Sequence, residues 1–199
     1  MRKILVIDDD QITLELLQHI LEEFVEGDII AINSSVEAIN YVVKNDLSGI
    51  DLSGVDLINA NLEGANLSRA NLGGAFLINT VLFKANLVGS NLRTTNFSNV
   101  DLGRTNLKGA ILFFADLRTV HLSGADLRGA LLSGANLSGI NLSGANLSGI
   151  DFATVDLKNA NLEGAILQGI KLKGVDIKGV ILSEAYLCGT DFTGVNINE

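Results

Sequence analysis

One position in five organises this sequence. From Leu47 to Ile197 every fifth residue is Leu, Phe or Ile, 31 positions in succession without a slip of phase. Two residues before each stands a small or β-branched residue, most often Ala, as at Ala60, Ala65 and Ala70. Between the two, most repeats place Asn or Asp, and 18 of the 21 glycines fall two residues after the apolar centre. A helix turns about 100° per residue, so residues five apart would be rotated by about 140° each time and would spray around its axis. An amphipathic helix is therefore excluded. In a strand, residues two apart share a face, so the Ala and Leu of one repeat point inward while the Asn or Asp between them points out. The next Ala comes three residues later, on the wrong face for a continuing strand. A bend must fall between repeats, where the glycines cluster as backbone that tolerates unusual dihedrals. Short inward pairs alternating with bends close into a coil, and coils stack through hydrogen bonds along the axis.

The units "ANLEGANLSRANL" and the run "SGANLSGINLSGANLSG" resemble the pentapeptide-repeat family, whose motif is A(D/N)LxX, and the resemblance spans residues 45–199. It implies a mainly β fold, a right-handed quadrilateral parallel β-helix with four pentapeptides to the coil. The array would hold about eight coils, and at about 4.8 Å per coil it would form a rod of roughly 37 Å. Proline would remove donors from the ladder in every coil, and the chain has none.

Residues 1–44 follow a different grammar and read as a small βαβα segment. "KILVI" and "DIIAI" read as strands, 11–24 as an amphipathic helix and 35–44 as a second helix, with Ser34 and Glu37 forming a capping box. Strands joined by crossovers imply a parallel pair. The opening "RKILVIDDDQITLELLQHIL" resembles the start of a response-regulator receiver, in which acidic residues after the first strand bind Mg²⁺. Asp8 and Asp9 match that acidic pair, but the third strand, its phosphoacceptor Asp and the later Thr/Ser and Lys positions are missing. A metal site at Asp8 and Asp9 is thus incomplete and reads as a relic, with Asp10 capping the first helix. Two strands cannot stand alone. Helix 35–44 is expected to plug the start of the rod, and the N-terminal segment to dock on Ile58, Phe76, Ile78, Val81 and Phe83 or pair with another copy of itself.

Inward positions serve folding, so function is sought in outward slots that break the pattern. Residues 20 apart should stack on one face. On the face of Asp51 and Asn71 the polar slot becomes Ile111 and then Leu131, with Phe113 beside Ile111 and Phe114 where glycine usually bends the chain. A contiguous exposed apolar patch on a soluble protein marks a contact surface, so Ile111, Phe113, Phe114 and Leu131 are the candidate partner-binding residues. A third cluster, Ile166, Ile181 and Tyr186, lies near the end.

The chain of 199 residues is 47% apolar with a formal charge of −9, which disfavours nucleic acid as a direct ligand. One cysteine, the absence of a signal-peptide core and the lack of a membrane-length apolar run point to a cytoplasmic protein that no membrane holds. His19, His121 and Cys188 lack metal spacing or a base partner, so no enzyme and no cofactor are expected. Asp116 with Arg118, Asp156 with Lys158 and Asp176 with Lys178 sit two apart on one face and are expected to pair.

The favoured reading is a non-enzymatic, rigid protein-interaction solenoid, in regulatory signalling if the receiver-like segment is a guide. Two alternatives stand beside it. Some members of the family mimic DNA and occupy gyrase, a type II topoisomerase, a task that needs a strongly acidic surface, whereas residues 45–199 hold 14 acids against 11 bases. The other is a phosphorelay-linked switch. The array runs in phase to its last residues, and an uncapped coil there would expose Phe192 and strand edges, so a homodimer is expected through that coil or through the N-terminal segment.

Overall fold

The computed structural model describes Ile4–Ile7, Ile29–Ile32 and residues 46–195. Strands β1 (Ile4–Ile7) and β2 (Ile29–Ile32) pair in parallel, from Ile4 against Ile29 to Ile7 against Ile32. The expected helices at 11–24 and 35–44, and the acidic pair Asp8 and Asp9, lie outside the described residues, and nothing described supports a receiver.

From Asp46 onward the chain winds as a solenoid. Most outward slots bridge in parallel to the slot 20 residues later, beginning with Asp46 to Asn66 and ending with Lys171 to Asp191. Four pentapeptides therefore make one coil, and each face of the rod is a column of residues 20 apart. The bridges are isolated ones rather than extended strands, because a corner interrupts the extended backbone every five residues. Around each bridge, backbone donors point both ways along the axis. Leu47 N–H donates to Asn66 O at 3.0 Å, and Asn71 N–H donates back to Ile50 O at 2.8 Å.

The corners are tight turns closed three residues apart, as where Ala60 N–H donates to Leu57 O at 3.0 Å. Their third residue takes the left-handed region that a type II turn requires, and Gly134, at φ 73°, is typical. Thr119 and Thr154 occupy the same corner position without taking positive φ. There the hydroxyl stands in for the missing carbonyl acceptor: Asn99 N–H donates to Thr119 Oγ1 at 3.3 Å and Gly134 N–H to Thr154 Oγ1 at 3.1 Å. β-Branching alone does not decide this, since Thr94 takes φ 54° at the same position; at Thr119 and Thr154 the hydroxyl completes the ladder in another way.

The core is the stacked column of central Leu and Phe residues with Ala, Val and Ile beside them, all buried from Leu47 to Val175 except the partly buried Val55. Four buried inward slots hold a hydroxyl instead, at Thr80, Ser90, Thr95 and Thr105, and Thr190 repeats this in the partly buried last coil. None is left unpaired: Thr105, for example, donates to Leu82 O at 2.8 Å. Beyond Val175 the inward residues Ile177, Leu182 and Leu187 are only partly buried and Phe192 is exposed.

Candidate partner-binding surface

The outward Asn and Asp do two jobs. Each accepts the backbone N–H two residues on, as Asp51 Oδ1 does from Ser53 at 3.0 Å, and so satisfies a donor that the corner leaves free. Asn66, Asn71, Asn86 and Asn91 also donate their amides to the residue one coil below. On the face that starts at Asp51, Asn71 Nδ2 donates to Asp51 Oδ1 at 2.9 Å and Asn91 Nδ2 to Asn71 Oδ1 at 2.8 Å. The column is a side-chain ladder running alongside the backbone one.

On this face the ladder stops. Asn91 bridges to Ile111 and Ile111 to Leu131, and neither apolar residue can accept from the next N–H. Leu131 is 45% exposed and Phe114 83%, while Ile111 and Phe113 are half-buried. Phe114 holds its corner in the left-handed region, at φ 57°, and its ring lies against Gly134 one coil above, where a Cβ would overlap it. Arg93 places its guanidinium 4.9 Å from the centre of the Phe113 ring. The structure thus brings all four candidate residues together in two adjacent coils.

The other sequence-derived clusters are placed as follows. Ile58 and Phe76 are exposed and Ile78 is half-buried on one face, and Val81 and Phe83 are half-buried around the next corner. Phe83 packs on Gly103, with the Lys84 ammonium 4.8 Å and the Arg104 guanidinium 6.0 Å from its ring. Its neighbours thus lie toward the middle of the rod. Ile166 bridges to Tyr186, and Ile181 and Tyr186 are exposed.

Charge pairing follows the expected pattern only in part. Arg118 grips Asp116 with two hydrogen bonds of 2.8 and 2.6 Å. Asp156 and Lys158 do not form an ion pair, nor do Asp176 and Lys178; Lys158 instead crosses one coil to Asp176 at 3.4 Å. Each Asp already accepts the backbone N–H of the Lys two residues on, and the long Lys side chain reaches farther along the column than across to its neighbour. A pair unforeseen from sequence joins Asp126 and Arg128 at 2.6 Å. The Arg128 side-chain hydrogen bonds hold the Asp126 carboxyl below its ordinary value, and Arg118 does the same for Asp116.

Charge is also sorted along the axis. Residues 46–65 carry four acids and no Lys or Arg; residues 66–145 carry seven bases against three acids, a net of +4; residues 146–195 carry six acids against four bases, a net of −2. Among the described residues Arg69, Lys84, Arg93, Arg104 and Lys108 form no ion pair. The total charge conceals this basic belt; adding charges coil by coil would have revealed it.

The surface is not wholly convex. A shallow groove of about 460 Å³ runs past Ser48, Ser68, Arg69, Asn86, Val88 and Asn106. Arg69 is its one ionisable side chain. Among the described residues no three His, Cys, Asp or Glu side chains gather as a metal site, and no helix is long and apolar enough to cross a membrane. His121 lies exposed in a polar slot, and Cys188 is an exposed free thiol.

A parallel solenoid with four corners per coil, type II turns and an outward Asn ladder defines a class of protein. The family model for pentapeptide repeats matches within residues 46–194, in overlapping segments that span the whole rod, and the chain belongs to that family. The family's fold is the right-handed quadrilateral β-helix. A trypsin-treated form of QnrB1, a plasmid-mediated fluoroquinolone resistance protein, is similar in structure, with TM-score 0.52 and 24% identity over 67% of this chain and 77% of that one. HetL, a pentapeptide-repeat protein involved in heterocyst differentiation regulation in the cyanobacterium Nostoc sp. strain PCC 7120, is 38% identical over 73% of this chain and 71% of its own, with TM-score 0.30. Rfr23 from the cyanobacterium Cyanothece 51142 is 30% identical over 75% and 89%, with TM-score 0.34. Among curated proteins no sequence matches.

Proposed function

We propose that this protein is a non-enzymatic, rigid interaction module of the cytoplasm, and that its partner docks on Ile111, Phe113, Phe114 and Leu131. The observation that carries this reading is the break in the Asn ladder after Asn91. Two adjacent slots that could have continued a self-satisfying column are given to apolar side chains, with an aromatic ring 83% exposed at the corner beside them. Neither side chain contributes to the core, so their apolar character does nothing for folding. The same module acts in regulation if residues 1–44 couple it to a signal. Inhibition of gyrase by DNA mimicry fits less well, because mimicry needs continuous negative charge and residues 66–145 of this rod interrupt it with a net charge of +4.

The test compares the intact protein with the Ile111→Asn, Leu131→Asn double variant as bait in a pull-down with quantitative identification of captured proteins. One or more proteins should be captured by the intact chain and lost with the variant. Identical capture by both would overturn this reading. A supercoiling assay with gyrase separates the DNA-mimic alternative, since that activity should not depend on the two apolar residues.

A further inference from the structure

The apolar face does not stand in neutral surroundings. Arg93 lies directly below Phe113 in the same column and stacks on its ring. Lys108 stands three residues before Ile111, across the Gly109 corner, and Arg128 stands three before Leu131 across the next corner up. Arg118 flanks the other side, beyond the corner made by Phe114. Arg118 and Arg128 are already bound to Asp116 and Asp126, but Arg93 and Lys108 are exposed and form no ion pair among the described residues. The patch therefore sits in the basic belt of an otherwise acidic chain.

Complementary potential governs which partner is steered to an interface and which is repelled. A second copy presenting the same face would set the two belts against each other, so a symmetric self-contact is opposed by like charge. A bare polyanion would be drawn to the cations but would gain nothing from covering Ile111, Phe114 and Leu131. Resting on the reading above, we propose that this face takes an acidic, apolar segment of a partner protein, its Leu or Phe side chains covering the patch and its carboxylates meeting Arg93 and Lys108.

The test measures binding to the full chain by fluorescence anisotropy of three labelled probes. They are a peptide alternating Asp and Glu with Leu and Phe, the same peptide with Lys for each acid, and a duplex DNA oligonucleotide. The acidic peptide should bind at least about tenfold tighter than the basic one, and Arg93→Glu with Lys108→Glu should remove that preference. Lys171→Glu with Lys173→Glu, an equal charge change farther along the same face, should leave it in place, and denaturation midpoints should show every variant folded. Ile111→Asn with Leu131→Asn should weaken the acidic peptide without changing the sign of the preference. The inference is overturned if the acidic peptide does not bind saturably, if both charge reversals act equally, or if DNA binds tighter than the peptide. It is also overturned if sedimentation shows self-association that the Asn variant abolishes. Loss of binding in the Asn variant with no effect of the Arg93 and Lys108 reversal would sink this charge assignment alone and leave the docking face standing. Dependence on charge with none on Ile111 and Leu131 would sink both.

Discussion

Gly134 and Leu131 show how one residue's role depends on the coil next to it. Gly134 sits at φ 73°, and the ring of Phe114 rests where its side chain would be. Gly134→Ala should therefore cost the left-handed penalty of about 1–2 kcal/mol plus the displacement of Phe114. In a double-mutant cycle read by denaturant unfolding, Phe114→Ala should recover the second part and leave the first. Leu131→Asn should behave in the opposite way. It supplies an acceptor for the Ser133 N–H and resumes the column of Asx turns, so its unfolding midpoint should equal or exceed that of the parent. That Leu131 departs from its repeat was legible in the sequence, because the five-residue phase marks each slot as inward or outward. The packing of Phe114 on Gly134 was not legible, since a period fixes the direction of Cβ but not the rotamer of an aromatic ring on a corner.

At the scale of the coil, a side-chain ladder ties the first turns to one another outside the core. Asn66 donates to Asp46 at 2.7 Å, accepts from Asn86 at 3.0 Å and accepts from Ser68 N–H at 3.3 Å. Asn66→Ala removes three partners at once and should lower stability by about 1–3 kcal/mol, as judged by chemical denaturation. The Asp126–Arg128 pair adds a pH-dependent link within one coil. Because the folded state lowers the Asp126 pKa, chiefly through the Arg128 hydrogen bonds, its contribution is present above the ordinary carboxylate value. It is lost as pH falls through the lowered folded value. In Arg128→Gln the Asp126 titration, followed by carboxyl NMR, should move up toward the ordinary value, and the acid limb of unfolding should lose that contribution. The sequence suggested pairing at a spacing of two, and this held for Asp116 with Arg118. It failed for Lys158, whose reach to Asp176 depends on the distance between coils, which the sequence alone does not give.

For the whole molecule, stability should follow burial along the axis. The inward residues from Ala60 to Val175 are sealed, while Ile177, Leu182 and Leu187 are partly open. Amide exchange monitored by mass spectrometry should thus be slowest in residues 66–165 and fastest in 176–195, and uniform protection would contradict this picture. The fold class was readable because a strict period admits one closure of the chain. The charge belt was not apparent, because its members are separated by tens of residues and meet only when the coil length is known. The Thr119 and Thr154 corners show how much variation such a frame absorbs. Where the corner departs from the left-handed turn, a hydroxyl supplies the missing acceptor. Inward and outward sets therefore answer to different requirements, and a substitution in one scarcely constrains the other. A lineage carrying this architecture can exchange its binding partner through single-codon changes at the surface, with no compensating change within.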